Sequence, residues 1–199
     1  MSSAQAQRLR ERLLDPVAAA RTVVPGSGIA AVLAPLWERD GELVAVFIKR
    51  HGELRLHAGQ ISFPGGRRDP GDVDLTATAL REAHEEIGLE PAAVTVVGAL
   101  TPTPTVVTDI AIYPFVGLIE RPAAWTIAVD EVEAVLEAPL GELAATHRLQ
   151  TFQRPRGPVS TDAYTIEGET IWGATGRIVA DLLGRLDGPG SERPLSAGG

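Results

Sequence analysis

The stretch "LREAHEEIGL", Leu80 to Leu89, sets Glu82, Glu85 and Glu86 within one helical turn. Carboxylates at i, i+3 and i+4 share a helix face, and each like-charge pair costs about 0.2–0.5 kcal/mol. Arg81 can pair with Glu85 four residues on but leaves the other two acids uncompensated. A solvated polar face accounts for such a cluster when nothing else converges on it. Here the cluster directly follows "HGELRLHAGQISFPGGRRDPGDVD", residues 51–74, a long segment rich in Gly, Pro and charge. Loops of that length inside a compact domain usually carry function. Carboxylates that cannot relax apart suit a divalent cation. Mg²⁺ takes few of them, keeps waters, and fills its shell with substrate phosphate oxygens.

Composition narrows the chemistry. The 199 residues suffice for one domain with a sizeable core, and the hydrophobic and charged fractions of 44% and 22% are those of a soluble globular protein. A net charge of −8 argues against a general nucleic-acid binder but leaves room for a local basic pocket on a small anionic substrate. The basic residues are 17 Arg and one Lys. The absence of cysteine excludes disulfides, thiolate metal ligands and thiol nucleophiles. The four histidines are scattered, so a bound metal would rest on oxygen ligands, which favours Mg²⁺ or Mn²⁺. "MSSAQAQRLRERLLDP" lacks the apolar segment of a signal peptide, and no apolar run approaches the roughly 20 residues of a membrane span. The expectation is a cytoplasmic protein with no membrane and no nucleic-acid partner. A homodimer is compatible with the sequence, which leaves oligomeric state open.

Periodicity predicts a helix over residues 3–21, interrupted at Pro16, and buried strands over residues 26–37 and 43–50, paired through a turn at Asp40-Gly41. The acidic helix is expected over residues 76–87, with Gly88 as its terminator. Further strands are expected at residues 93–100 and 109–119. "DEVEAVLEAPLGELA" reads as a strand followed by a helix from near Pro139. A hairpin is expected around Glu167-Gly168, then an amphipathic helix over residues 175–186, with residues 187–199 as a disordered tail. Mixed helices and strands in this order predict an α/β or α+β layered fold forming a single domain over residues 1–186.

"GGRRDPGDVDLTATALREAHEEIGL" resembles the signature of the Nudix hydrolases, in which a Gly and an acidic residue precede Arg-Glu-apolar-X-Glu-Glu-X-Gly-apolar. Arg81 to Leu89 fits at every specified position. Fourteen residues separate Gly66 from Arg81, one more than is usual, and Asp72 stands near where the signature has Glu. Upstream, Arg50, Arg55, Gly59 and Phe63-Pro64-Gly65-Gly66 resemble the additional motif of the coenzyme A diphosphatase branch, which shares the longer gap. Val46, Ile48 and His51 depart from that motif's beginning, while "IWGATGRIV", residues 171–179, is again similar. The resemblance spans roughly residues 30 to 185. It implies an α/β/α sandwich with a mixed central sheet. It also implies Mg²⁺- or Mn²⁺-dependent hydrolysis of coenzyme A, a small-molecule substrate, to 3′,5′-ADP and 4′-phosphopantetheine. Another nucleoside diphosphate derivative, such as a dinucleotide or a nucleotide sugar, is the alternative substrate. A non-catalytic ligand-sensing module is disfavoured because all three box glutamates are retained.

In that reading Glu82 and Glu86 are the main metal ligands, and Glu85 is a third ligand or supports a metal-bound water. Arg81 orients a glutamate; otherwise it forms only a surface ion pair contributing about 0.3–0.5 kcal/mol. Gly65 and Gly66 let the loop approach the helix. Arg50, Arg55 and Arg67, with Arg68 beside them, are the cations available to the substrate phosphates. Glu120, Glu131 and Glu133 are the general-base candidates outside the box, each also explicable as a surface acid. Trp172 and Phe63 are candidates for stacking on adenine, with core packing as the competing role, and His84 is expected on the surface.

Overall fold

Two residues set the first strand pairing. Asp40 and Gly41 both hold positive φ, 53° and 86°, the geometry of a two-residue turn whose twist matches that of the strands it joins. Strand β1 (Gly28–Arg39) therefore returns directly as β2 (Glu42–Arg50), with Arg39 opposite Glu42. The computed structural model describes residues 3–52, 59–105, 109–153 and 157–187. Helices α1 (Ser3–Arg12) and α2 (Pro16–Ala20) precede the hairpin. After it come β3 (Ile61–Ser62), β4 (Gly65–Arg67), α3 (Leu75–Ile87), a 3₁₀ turn (Pro91–Ala93), β5 (Thr95–Ala99), β6 (Thr103–Pro104) and β7 (Ile110–Leu118). The chain continues through β8 (Val132–Pro139), α4 (Leu140–Ala145), β9 (Arg148–Phe152), β10 (Val159–Ile166), β11 (Glu169–Ile171) and α5 (Gly173–Asp187).

The main sheet runs β3-β2-β1-β7-β5, with β4 paired to β1, β6 to β7 and β8 to β2. It is mixed: β1 and β7 run parallel from Gly28 opposite Ile110 to Leu36 opposite Leu118, and the remaining pairs are antiparallel. Strands β9, β10 and β11 form a separate antiparallel sheet. Side-chain alternation divides the apolar residues between two cores. Ala31 and Leu33 of β1 and Val46 and Ile48 of β2 pack with Leu75, Ala79, Ala83 and Ile87 of α3. Val32, Ala34, Leu36, Ala45 and Phe47 pack on the other face, with Leu9 of α1, Leu13 just after it, and Ile178, Val179, Leu182 and Leu183 of α5. Helices thus cover both faces of the sheet. This is the expected α/β/α sandwich, and it explains why both strands are apolar almost without interruption. Among the described residues no helix is long and apolar enough to cross a membrane.

The segment read as one long loop, residues 51–74, is in part sheet. Ile61 pairs with Lys49, and Gly65, Gly66 and Arg67 pair with Val32, Ala31 and Ala30. Strands of two and three residues, made of Gly and residues flanking Pro, carry no periodicity; they form because β1 and β2 offer ready edges. Strand β9 was likewise invisible in the sequence, being mostly exposed and lacking alternation. The tail is read from residue 187, but Asp187 still belongs to α5, and residues 188–199 lie outside the described residues.

Helix α3 has defined ends. Asp74 accepts a hydrogen bond from the Ala77 N–H at 2.8 Å, and Gly88 adopts φ 68°, so its N–H can turn back to the His84 carbonyl at 2.9 Å. A Cβ at Gly88 would lie 2.7 Å from the Thr126 Cβ. Gly88→Ala is expected to cost about 1–3 kcal/mol through left-handed strain and this contact, as measured by urea denaturation.

Candidate active site

Glu86 occupies a core position. Ala79, Ala83, Glu86 and Ile87 form the buried stripe of α3 at i, i+4, i+7 and i+8, and Glu86 is only 2% exposed. Its Oε2 accepts the Gly65 N–H at 2.8 Å, and its Oε1 accepts from Arg50 Nη1 at 3.2 Å. Burial is the largest influence on its ionisation and pushes the carboxyl up to about 7. The Gly65 N–H and Arg50 oppose the rise, while the charges of Glu82 and Glu131 add to it.

Glu82 lies one turn earlier. Burial raises its pKa, opposed by Arg81, whose Nη2 stands 2.9 Å from Glu82 Oε1; Glu85 and Glu131 push it further upward. The glycine pair makes this approach feasible. Gly65 holds φ 154°, and a Cβ there would lie 2.4 Å from the Ala31 carbonyl oxygen; a Cβ on Gly66 would lie 2.3 Å from Glu82 Oε2. Only residues without side chains let β4 lie between β1 and the acidic face of α3.

Arg81 ties the loop to the helix. Its Nε and Nη2 donate to Asp72 at 3.0 and 3.2 Å, its Nη1 donates to Glu85 at 2.8 Å, and its Nη2 also donates to the Arg67 carbonyl at 3.1 Å. Asp72 Oδ2 further accepts from the Thr78 hydroxyl and the Asp69 N–H, both at 2.9 Å. Arg81 first, then these two donors, hold the Asp72 carboxyl well below the usual carboxylate range despite its burial, and Asp72 in turn raises the Arg81 pKa. Asp72 had no assigned role in the sequence; its signal was its place at the end of a tight "DPGD" turn, six residues before Thr78 and nine before Arg81.

Glu85 points away from Glu82 and Glu86 to Arg81, with its side chain 55% exposed. Arg67 is exposed, and Arg68 donates to the Asp72 carbonyl at 3.2 Å. Arg55 lies outside the described residues. Phe63 is core, stacked on Phe47 with ring centroids 4.5 Å apart and 1% exposed; Trp172 stacks on Phe152. His84 is on the surface beside Glu90.

The three outlying acids separate clearly. Glu120 is exposed at the end of β7, and Glu133 is ion-paired with Lys49 at 2.9 Å. Glu131 alone of the three acts electrostatically on both Glu82 and Glu86. It is carried there because the segment before β8 docks on the open carbonyls at the end of α3, Thr126 N–H on Ile87 at 3.3 Å and Ala128 N–H on Glu86 at 3.0 Å. The chain then returns to β2 through a hydrogen bond from the His51 N–H to the Glu131 carbonyl at 2.8 Å.

Among the described residues no three His, Asp or Glu side chains form a ready-made metal cage. What the chain offers is Glu82 and Glu86, acids whose burial penalises their own negative charge, with Glu131 in electrostatic reach. That set fits a hard cation that takes few carboxylates and completes its shell with water and phosphate.

Comparison with known proteins gives the family. The chain matches the NUDIX domain over residues 28–157. It is 40% identical over 157 residues to the uncharacterised Nudix hydrolase NudL of Salmonella paratyphi B, covering 77% of this chain and 80% of that protein, and the NudL of Salmonella newport matches equally. The crystal structure of a MutT/nudix family protein from Enterococcus faecalis superposes with a TM-score of 0.51 over 94% of this chain and 75% of that one, at 14% identity, a likeness of fold. The chain belongs to the Nudix family. It is a Nudix hydrolase, an enzyme acting on diphosphates, and such enzymes generally use divalent metal ions.

Two outcomes follow from the electrostatics. Between pH 4.5 and about 7 the unfolded Glu86 has lost its proton while the folded one retains it, so in chelator this group's contribution to stability falls as pH rises through that window. Glu86→Gln is therefore expected to stabilise the chelated protein by about 1–3 kcal/mol at pH 8 and not at pH 4.5, read from thermal melts at both. The depressed Asp72 carboxyl works in the opposite sense, stabilising above its ordinary range and losing that contribution as pH falls below it. Asp72→Ala is expected to cost about 1–3 kcal/mol at pH 7, measured by denaturant titration, because Arg81 and Thr78 lose a buried acceptor.

Proposed function

We propose that this Nudix hydrolase cleaves the diphosphate of coenzyme A, giving 3′,5′-ADP and 4′-phosphopantetheine, with Mg²⁺ or Mn²⁺ held chiefly by Glu82 and Glu86. The observation that carries the proposal is the convergence on Glu86. Arg50 and Gly65, two elements of the branch motif far apart in the chain, both donate to a carboxylate of the Nudix box. The motif and the box therefore meet at one locus. When bound, the metal supplies charge neutralisation at the diphosphate and lowers the pKa of water.

The chain's own groups do the rest. Water attacks one phosphorus, the bond from that phosphorus to the bridging oxygen breaks, and the oxygen departs on the other phosphate. Glu131, solvent-exposed and within electrostatic reach of the pair, takes the water's proton. Arg50 orients Glu86 and adds positive charge beside the diphosphate, while Arg67 on the exposed rim, and Arg55 by its place in the motif, are the cations for the 3′-phosphate. Arg81 holds Glu82 and Glu85 in place through its four acceptors. Gly65 and Gly66 bring the loop against β1 and Glu82, where a side chain would intrude, and so shape the substrate-binding side of the site.

The purified chain with coenzyme A and Mg²⁺ is expected to release 3′,5′-ADP and 4′-phosphopantetheine, resolved by chromatography. Intact coenzyme A would reject the substrate, and faster turnover of dephospho-coenzyme A or NADH in parallel would reassign it. Glu131→Gln is expected to lower kcat roughly 10²–10⁴-fold with KM little changed, the range for losing a general base. Glu86→Gln is expected to lower kcat by about 100-fold or more and to weaken Mg²⁺ dependence.

A further inference from the structure

Lys49 is the single lysine of the chain, and it stands where β2 and β8 lose register. Lys49 lies opposite Ala134 and Arg50 opposite Val132, so Glu133 is an extra residue on β8 with no partner across the ladder. The packing records the same insertion. Val132 and Val135, three residues apart, both pack into the core beneath α3, and Leu136 and Ala138 pack into the core on the other face. A regular strand would return to a face at every second residue. Bulges bend a strand and re-aim its side chains, often beside active sites.

The extra residue is gripped. Lys49 Nζ lies 2.9 Å from a Glu133 carboxylate oxygen and 2.9 Å from one of Glu169 on β11, joining the main sheet to the small one. On one side of this clamp is Arg50, which donates to Glu86. On the other is Glu131, two residues before the bulge and tied to His51 through its carbonyl. If the bulge moved by one residue, the side chains between its old and new places would reverse faces. These ion pairs are 23–44% exposed, so they contribute little to global stability. Their consequence is local.

We infer that Lys49 is a positioning residue: by holding Glu133 and Glu169 it keeps the β8 bulge in the register that sets Glu131 within electrostatic reach of Glu82 and Glu86. This rests on the reading of Glu131 as the base. The test compares wild type, Lys49→Met, Lys49→Arg, Glu131→Gln and the Lys49→Met/Glu131→Gln double variant. Turnover is measured with coenzyme A and Mg²⁺, and Mn²⁺ binding by electron paramagnetic resonance without substrate.

Lys49→Met is expected to lower kcat about five- to tenfold with KM within about threefold, Lys49→Arg to recover most of it, and the double variant to lose no more than Glu131→Gln alone. Removing a positive charge should by itself strengthen cation binding. Weaker Mn²⁺ binding in Lys49→Met, equal to that of Glu131→Gln and not additive with it, is the expected signature. Wild-type kcat in Lys49→Met, additive losses in the double variant, or failure of Lys49→Arg to recover activity would each overturn the inference. Should wild type leave coenzyme A intact, the substrate reading fails alone and the Mn²⁺ comparison decides. Non-additive weakening sustains the role of Lys49, and unchanged or tighter binding in Lys49→Met removes it.

Discussion

The burial of the Glu86 carboxylate in the apolar stripe of α3 is the constraint on which the rest of the site depends. An ionised acid at such a position costs several kcal/mol unless it is paired and hydrogen-bonded. One backbone N–H and one guanidinium offset part of that cost, and the carboxyl remains raised to about 7. Glu82 and Glu131 add negative charge when attraction would be more comfortable. The acidic end of α3 is therefore held in a state that a cation relieves. In the proposed reading the stability lost by gathering these acids would reappear as affinity for the ion, the general way in which metal binding couples to folding and to pKa.

Holding the acids in that state requires a frame stiffer than the repulsion. The frame is backbone in part: Gly65 and Gly66 pair with Val32 and Ala31, pressing β4 between the central strand and the helix at distances that forbid a side chain. Arg81 supplies the rest. Its guanidinium binds the loop through Asp72 and the Arg67 carbonyl, and the helix through Glu82 and Glu85. A planar group with several fixed donors can do this where a lysine ammonium could not. The segment before β8 docks on the open carbonyls at the end of α3 and carries Glu131 with it.

Much of the architecture was readable from residue order. Asp40-Gly41 announced the first hairpin, Gly88 the end of the acidic helix, and the unbroken apolar runs of β1 and β2 a pair of buried strands. These features are local: turn chemistry, capping and periodicity act within a few residues. Strands β3 and β4 escaped because their residues have no strand character of their own; their conformation is borrowed from β1 and β2 across long sequence separations. Asp72 escaped for a related reason, since an acid in a charged loop acquires meaning only when Arg81 folds over it.

The sequence by itself determined that three glutamates crowd one turn of a helix behind a glycine pair, because the helical repeat and the conformational freedom of glycine are properties of single segments. Only the tertiary structure decided which of those acids turn inward. Glu86 is buried by Gly65 and Arg50, Glu82 lies against Gly66, and Glu85 is drawn out to Arg81. It also decided which distant acid joins them, selecting Glu131 over Glu120 and Glu133. Both choices depend on how a docked loop and a bulged strand meet the end of α3, and charge–charge interactions follow distance in space, whatever the separation along the chain.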